Sequence, residues 1–96
     1  MRTLTKKAIS LAALISRQYN MLELDKYKFF ETYHDSMRCQ MECAWEEVDN
    51  VAAYEEDNDE DSALSSISLL QQTLTYCKAV IRLQKLTKAL PEAIYG

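Results

Sequence analysis

The chain has 96 residues, of which 48% are apolar and 27% charged, and its 15 acidic and 11 basic residues give a formal net charge of −4. It contains one glycine and one proline, and both lie close to the end of the sequence, as Gly96 and Pro91. Tight hairpins, phosphate-binding loops and oxyanion turns all need residues that adopt positive φ without strain. The composition therefore excludes most β architectures and glycine-built active-site loops, and it predicts an all-α protein with a single domain over residues 1–96.

The first predicted helix covers residues 4–33. At 100° per residue, the apolar side chains of its first two-thirds fall within about 100° of one another, which is the width of a core-facing stripe. These residues are Leu4, Ala8, Leu11, Ala12, Ile15, Tyr19 and Leu22. Either Thr3 or Thr5 is suited to cap the start of this helix.

A basic start followed by the apolar run Ala8–Ile15 is similar to the beginning of a secretory signal. The run has only eight residues, however, and it continues directly into Arg17 and Gln18. No stretch of the sequence approaches the ~18 apolar residues that a membrane span needs. We therefore expect an amphipathic helix in a cytoplasmic protein that does not contact a membrane.

The end of the first helix is the least defined boundary, because no glycine marks it. Asn20 with Glu23 three residues later is one candidate capping pair, and Asp35 or Ser36 is another candidate helix start. The apolar stripe continues through Leu22, Phe29 and Tyr33. We therefore expect one helix to about residue 33, with a break near residue 20 as the competing arrangement.

The second predicted helix covers residues 36–56, and its apolar residues are spaced as in a coiled coil. The stripe consists of Phe30, Tyr33, Met37, Met41, Ala44, Val48 and Val51. The third predicted helix covers residues 62–90, with Ser62 as its N-cap and Pro91 as its stop. The three segments predict a three-helix antiparallel bundle, or a long helical hairpin with a packed N-terminal helix.

The third helix carries two apolar stripes on nearly opposite sides. The first contains Ile67, Leu70, Leu74, Cys77 and Ile81, and the second contains Leu69, Tyr76, Val80, Leu83 and Leu90. A corner helix of a three-helix bundle needs one broad apolar face, so either this helix is buried centrally or its second face meets another chain, and we expect the second arrangement. Aromatic side chains often anchor interfaces. The predicted protein interface therefore comprises Trp45, Tyr54, Leu69, Tyr76, Leu83 and Leu90.

Charge is distributed unevenly along the chain. Between Cys39 and Cys77 there are ten acidic residues and no lysine or arginine, so the rest of the chain carries eleven bases against five acids. Antiparallel packing of the second and third helices puts an acidic loop at one end and a basic row at the other, with Arg2, Lys6 and Lys7 at a chain terminus. The residues predicted to steer association are Glu55, Glu56, Asp57, Asp59, Glu60, Asp61, Lys78, Arg82, Lys85 and Lys88.

The acidic loop partly matches a calcium-binding motif. Asp57, Asp59 and Asp61 have the spacing of the first three ligands of an EF-hand. Ser62, however, stands where that loop needs glycine, and Ser68 stands where it needs a bidentate glutamate. The loop is therefore interpreted as a solvated turn rather than a calcium site.

The basic row of the third helix has two interpretations. Lys78, Arg82 and Lys85 share one helical face and present cations that phosphates can contact. A sequence pI of about 4.9 opposes nucleic-acid binding by the whole domain. We therefore favour a solvated face or a patch for the acidic surface of another protein, and keep nucleic acid as the alternative.

The residues that commonly bind metals or act as nucleophiles are few and dispersed. His34, Cys39, Cys43 and Cys77 are the complete set of soft ligands. On a continuous helix His34 points about 140° away from Cys39, and Cys77 lies in the main stripe of the third helix. This pattern favours neither a zinc site nor a Cys–His nucleophile. We expect free thiols, no metal, no cofactor and no catalytic residue, and hence a protein that is not an enzyme.

Because the sequence predicts no catalytic or metal-binding site, we expect the function to depend on binding surfaces. We expect a small helical protein that binds another, larger protein as an inhibitor, regulator or adaptor. One alternative is a nucleic-acid-associated regulator that uses the basic face of the third helix. The other is a homo-oligomeric bundle with a purely structural role.

Overall fold

The computed structural model describes residues 3–23 and 31–88, which form three helices. They are α1 (Thr3–Met21), α2 (Glu31–Glu56) and α3 (Glu60–Lys88). Each helix packs against both of the others, and the described ranges contain no strand. The predicted all-α three-helix bundle is therefore confirmed.

The direction of each helix follows from side chains that join the helix ends. The carboxylate of Glu55, in the last turn of α2, accepts a hydrogen bond from the N–H of Thr5 at 2.6 Å, so α1 begins where α2 ends. The side chain of Gln84, near the end of α3, bonds the backbone of Glu23 just after α1. The helices therefore run up, down and up, with α1 parallel to α3, and they form a rod of 56 × 17 × 17 Å.

The core lies between the three helices and is built mainly from small and medium-sized apolar side chains. Ala8, Ala12 and Ile15 of α1 are fully buried. The other core residues are Met37, Ala44, Val48, Val51, Ala63, Ile67, Leu70, Leu74, Cys77, Val80 and Ile81. Within the described ranges, the predicted stripes of α1 and α2 and the first stripe of α3 are confirmed, because their residues are buried or pack against buried ones.

The assignment of Val80 to the second stripe of α3 is wrong, since its side chain is only 3% exposed and belongs to the core. A corner helix that contacts two neighbours buries a wide arc of its surface. Val80 lies at the edge of that arc, beside the buried Cys77 and Ile81. The second stripe is correspondingly narrower than the sequence predicts.

The predicted end of the first helix near residue 33 is wrong, and the competing break near residue 20 describes the chain better. Helix α1 ends at Met21, and α2 begins at Glu31. The buried side-chain amide of Gln84 accepts a hydrogen bond from the N–H of Glu23 at 2.9 Å and donates one to the carbonyl of the same residue. The N–H and the carbonyl of Glu23, which would form hydrogen bonds within a continuing helix, are thus hydrogen-bonded to α3 instead.

The predicted start of α2 at residue 36 is also wrong. Ser36 lies inside the helix, where its hydroxyl accepts hydrogen bonds from Gln40 and from Tyr76 of α3. Tyr33, one turn earlier, packs against the core. Burial of this earlier turn extends α2 beyond the capping residues that the sequence offers, because tertiary packing outweighs a local cap.

The turn between α2 and α3 is built without glycine. Asn58 adopts a positive φ of 57°, and the N–H groups of Asn58 and Asp59 bond the carbonyls of Glu55 and Tyr54. This is the Schellman arrangement that ends a helix, with asparagine in the place usually taken by glycine. The carboxylate of Asp59 then accepts a hydrogen bond from the N–H of Ser62 at 3.2 Å. The predicted N-cap Ser62 is therefore wrong: Asp59 caps α3, which begins at Glu60.

The positive φ at Asn58 predicts how substitutions in this turn change stability. We expect Asn58→Ala to lower the free energy of unfolding by about 1 kcal/mol, because a Cβ without a polar side chain is strained in the left-handed region. Asn58→Gly should equal or exceed the wild type. Urea denaturation followed by circular dichroism measures both variants, and equal stability of the alanine and glycine variants would contradict the assigned turn.

Candidate functional site

The outward face of α3 carries a row of side chains at alternating spacings of three and four residues. We call this row the outward seam, and it consists of Leu69, Gln72, Tyr76, Ala79, Leu83 and Leu86. It lies roughly opposite the core residues Leu74 and Ile81 on the helix. Leu69 is 56% exposed, Leu83 is 40% exposed and Leu86 is 62% exposed. Such spacing is the pattern by which one helix packs against another.

Three of the predicted interface residues, Leu69, Tyr76 and Leu83, lie in the outward seam, whereas Leu90 falls outside the described residues. Sequence reasoning missed Leu86, the most exposed leucine of the seam. The prediction followed intervals of seven residues and did not include the position three residues after each member. Leu86 follows Leu83 by three residues, so the signal was present in the sequence.

Tyr76 joins the outward seam to α2. Its ring is half-buried against the core, and its hydroxyl donates a hydrogen bond to the hydroxyl of Ser36 at 3.2 Å. Beside Leu69, a groove of about 170 Å³ between α2 and α3 is also lined by Cys43 and Thr73. The seam therefore has a fixed aromatic centre, with an exposed leucine on the helix surface to either side.

The structure does not bring Trp45 together with the outward seam. Trp45 is 42% exposed, and its indole N–H donates a hydrogen bond to the hydroxyl of Ser16 in α1 at 2.9 Å. The neighbouring Glu47 instead accepts a hydrogen bond from Ser66 in α3. Trp45 therefore lies on the α1 side of α2. Tyr54, in the last turns of α2, is half-buried and packs against the core near the α2–α3 turn.

Of the predicted basic row, Arg82 borders the C-terminal half of the outward seam, whereas Lys78 and Lys85 lie roughly 140° and 160° around α3 from Leu83. Lys78, Arg82 and Lys85 are all exposed, and among the described residues no hydrogen bond or ion pair involves them. Arg82 lies one turn before Leu86, so its cation flanks the seam directly. The side chain of Lys88, the last predicted member of the row, is outside the described part of the structure.

The acidic end of the bundle is less acidic than the sequence suggests. The exposed carboxylates around the α2–α3 turn are those of Glu56, Asp57, Asp59, Glu60 and Asp61. Lys6 and Lys7, in the first turns of α1, are exposed at the same end, because the up-down-up order places the start of α1 beside this turn. The predicted separation of charge is therefore reduced at the acidic end and retained along α3.

Glu55, predicted as a charge-steering residue, forms the cap of α1. One carboxylate oxygen accepts hydrogen bonds from the N–H and the hydroxyl of Thr5, both at 2.6 Å, and the other lies 3.4 Å from the N–H of Leu4. A carboxylate satisfies the unpaired N–H groups of a helix start and interacts favourably with the helix dipole. Its charge is thus directed into the bundle rather than toward a partner.

The soft metal ligands are not assembled into a site. His34 packs at 5.0 Å from the ring of Tyr19, and the Tyr19 hydroxyl lies 3.0 Å from its Nε2. Cys39 and Cys43 are exposed, whereas Cys77 is buried, and all three are free thiols. In residues 3–23 and 31–88, no three His, Cys, Asp or Glu side chains are placed to hold a metal ion.

No protein-family model, curated protein or solved structure matches this chain. None of the helices in the described ranges combines the length and the apolar content needed to cross a membrane. The functional interpretation therefore depends on the chemistry of the surface, and chiefly on α3.

The Asp59 cap predicts a specific dependence of stability on pH. Hydrogen bonds from the side chain and the backbone of Ser62 lower the pKa of Asp59 below its ordinary value. A lowered folded-state pKa contributes stability that is present above the unfolded-state pKa and is lost as pH falls through the folded-state value. We therefore expect the stability difference between the wild type and Asp59→Asn to be largest near neutral pH and to shrink in acid.

Urea denaturation at several pH values between about 7 and about 2 measures this difference. Asp57→Asn is the matched control, since it removes the same charge from the same turn without touching the cap. A pH-dependence that is equal in the two variants would contradict the role of Asp59.

The three thiols are expected to differ in reactivity. Burial raises the pKa of the Cys77 thiol to about 11, which leaves little thiolate near neutral pH. A disulfide reagent such as dithiobis(nitrobenzoate) should therefore modify Cys39 and Cys43 quickly and Cys77 only when the bundle unfolds. Cys77→Ala should retain both fast reactions, and rapid modification of all three thiols in the folded wild type would overturn this expectation.

Proposed function

We propose that this chain is a non-enzymatic helical protein that acts by binding another, larger protein through the outward seam. It would serve as an inhibitor, regulator or adaptor of that protein. The observation that carries the proposal is the exposure of Leu69, Leu83 and Leu86 on the side of α3 that faces away from its own core. Single exposed leucines are ordinary on protein surfaces, but a row of them at helix-packing spacing marks an interaction site.

Packing within the bundle supports this proposal. Helix α3 already buries residues such as Leu70, Cys77 and Ile81 against α1 and α2. The leucines of the outward seam contribute little to that core, so their burial is available to a partner. Burial of apolar surface contributes roughly 25 cal/mol per Å² removed from water. Burying three leucines would therefore supply a substantial part of the binding free energy of a complex of moderate affinity.

A cytoplasmic location is part of the proposal. Cys39 and Cys43 are exposed free thiols one helical turn apart, and Cys77 is a free thiol in the core. Thiols in this state are typical of proteins in a reducing compartment, where disulfides are rare.

The basic row favours a second candidate function, in which α3 contacts nucleic acid. The exposed cations Lys78, Arg82 and Lys85 lie on one face and have no protein partner among the described residues. Against this candidate stand the net charge of −4 and the exposed leucines of the outward seam, which contacts with phosphates would leave uncovered. A homo-oligomeric bundle that covers the seam with a second copy is the third candidate.

A comparison of three tagged forms tests the proposal. Wild type, the double variant Leu83→Glu with Leu86→Glu, and the control Leu14→Glu are each used to capture proteins from the native host, with and without nuclease. Leu14 is a well-matched control because it is 39% exposed on α1, close to the 40% of Leu83. We expect the wild type and the Leu14 variant to retain the same protein, and the double variant to lose it by tenfold or more.

Three outcomes would contradict the proposal. Equal capture by all three forms would show that the outward seam is not the binding surface. Loss of capture after nuclease treatment would favour the nucleic-acid candidate. Sedimentation equilibrium at two concentrations identifies a self-assembled bundle, which the double variant would dissociate. Circular dichroism of each variant checks that the helices remain folded.

A further inference from the structure

We propose that the face formed jointly by α1 and α2 binds a second copy of this chain, with α1 of each copy packed against α2 of the other. This inference goes beyond the proposed function and concerns a different surface from the outward seam. It is carried by two columns of opposite charge that lie side by side on this face, with an exposed tryptophan in the groove between the two helices.

The α1 half of the face carries a basic column, which consists of Lys6 and Arg17. Both side chains are exposed, and because they lie eleven residues apart, their directions around α1 differ by only about 20°. They lie about 80–100° around the helix from Ser16, which contacts α2, and therefore point to the solvent beside the groove. Helix α1 contains no acidic residue.

The α2 half of the face carries an acidic column, which consists of Glu42, Asp49 and Glu56. These exposed residues follow one another at intervals of seven and lie within about 40° of one another on the helix. They lie within about 60° of Trp45, on the side of α1, and at least about 140° from Glu47, which contacts α3. Among the described residues, no ion pair involves a member of either column.

The two columns match in their levels along the bundle. The contact of Thr5 with the last turn of α2 puts the neighbouring Lys6 nearly level with Glu56. The contact of the indole with α1 likewise puts Arg17 nearly level with Glu42. A two-fold axis parallel to the bundle leaves these levels unchanged and lays the basic column of each copy over the acidic column of the other. Each matched pair then occurs twice.

The tryptophan lies at the centre of this arrangement. Trp45 is 42% exposed, and its indole reaches across the groove to Ser16. A two-fold axis along the groove therefore brings Trp45 of one copy against Trp45 of the other. Ser10 and Ala13, which are small and exposed on the same side of α1, allow a close approach. Large aromatic side chains supply much of the binding energy at the centres of interfaces.

The charge pattern selects a second copy over other occupants. The acidic column repels an acidic helix or a nucleic acid, and the basic column repels a basic helix. A two-fold axis perpendicular to the bundle would lay each column over its own copy and oppose like charges. A second copy turned about the parallel axis pairs both columns, and it leaves α3 and the outward seam on the far side of each bundle.

The size of the face sets the expected strength of the dimer. Helix α1 has 19 residues, or about 28 Å, and the bundle is 17 Å wide, so the face covers roughly 500 Å² per copy. An interface of this size is at the low end of the specific range and is typical of reversible complexes. We therefore expect dimers at about 200 μM and monomers at about 1 μM.

Reversal of the charges tests the inference by sedimentation equilibrium of the full chain. The basic-column variant, Lys6→Glu with Arg17→Glu, should weaken the dimer by tenfold or more, because acid then faces acid. The acidic-column variant, Glu42→Lys with Glu56→Lys, should weaken it as much, because base then faces base. An equal mixture of the two variants should restore the dimer, since each reversed column then faces a complementary one.

The variant Lys78→Glu with Lys85→Glu is the matched control. It changes the net charge as much as the basic-column variant does, at exposed sites on α3, and it should leave the dimer unchanged. Circular dichroism checks folding, and the single exchanges Arg17→Glu and Glu42→Lys repeat the test if a double variant is unfolded. Emission from Trp45, the only tryptophan, should shift to shorter wavelength as the dimer forms.

Four results would overturn the inference. They are a wild type that is monomeric at about 200 μM, a control that dissociates the dimer as the column variants do, a mixture of the two column variants that stays monomeric, and Trp45 emission that is equal in monomer and dimer. Dissociation of the wild-type dimer by Leu83→Glu with Leu86→Glu would also overturn it, because the second copy would then lie on the outward seam.

Discussion

The arrangement of the bundle depends on the hydrogen bonds between the carboxylate of Glu55, at the end of α2, and the first turn of α1. Every helix start has unpaired N–H groups that need an acceptor from a side chain, the backbone or water. Glu55 supplies the acceptor from the end of α2, through hydrogen bonds to Thr5 and Leu4. The start of α1 is thereby joined to the α2–α3 turn. The parallel course of α1 and α3, the position of Lys6 and Lys7, and the exposure of one side of α3 are all consistent with that connection.

Polar contacts between helices then determine the axial register of each helix relative to its neighbours. Apolar stripes alone tolerate a shift of one turn, since each turn presents similar side chains. Glu47 with Ser66 and Ser36 with Tyr76 join α2 to α3 at two levels, and Gln84 joins α3 to the chain after α1. These contacts place the acidic surface of α2 beside the first half of α3. The basic row lies on the second half of α3, away from those acids. The charge pattern of the surface is thus a consequence of register.

The apolar periodicity of the sequence predicts most of the core. The stripes through Ala8, Ala12 and Ile15 and through Leu70, Leu74 and Cys77 are found buried because burial repeats with the helix period. For the end of α1 the sequence offers only two competing positions, because a contact that helps to choose between them comes from Gln84, which is sixty-one positions away from Glu23. Asp59 was overlooked as a cap because Ser62 also satisfies the local rule. The sequence pattern does not tell that Trp45 contacts α1 rather than α3, because it does not show which of two neighbouring helices a flanking side chain meets.

The two-sided character of α3 couples recognition to folding. The helix supplies much of the core, including Ile67, Leu70, Leu74, Cys77 and Ile81, and it also carries the exposed leucines. A molecule that binds only the folded α3 therefore stabilises the whole bundle by mass action, by RT ln(1 + [L]/Kd). By the same linkage, any substitution that loosens the core reduces the fraction of chains able to bind, even far from the contact surface. In a domain of this size, the stability of the bundle is itself a determinant of apparent affinity.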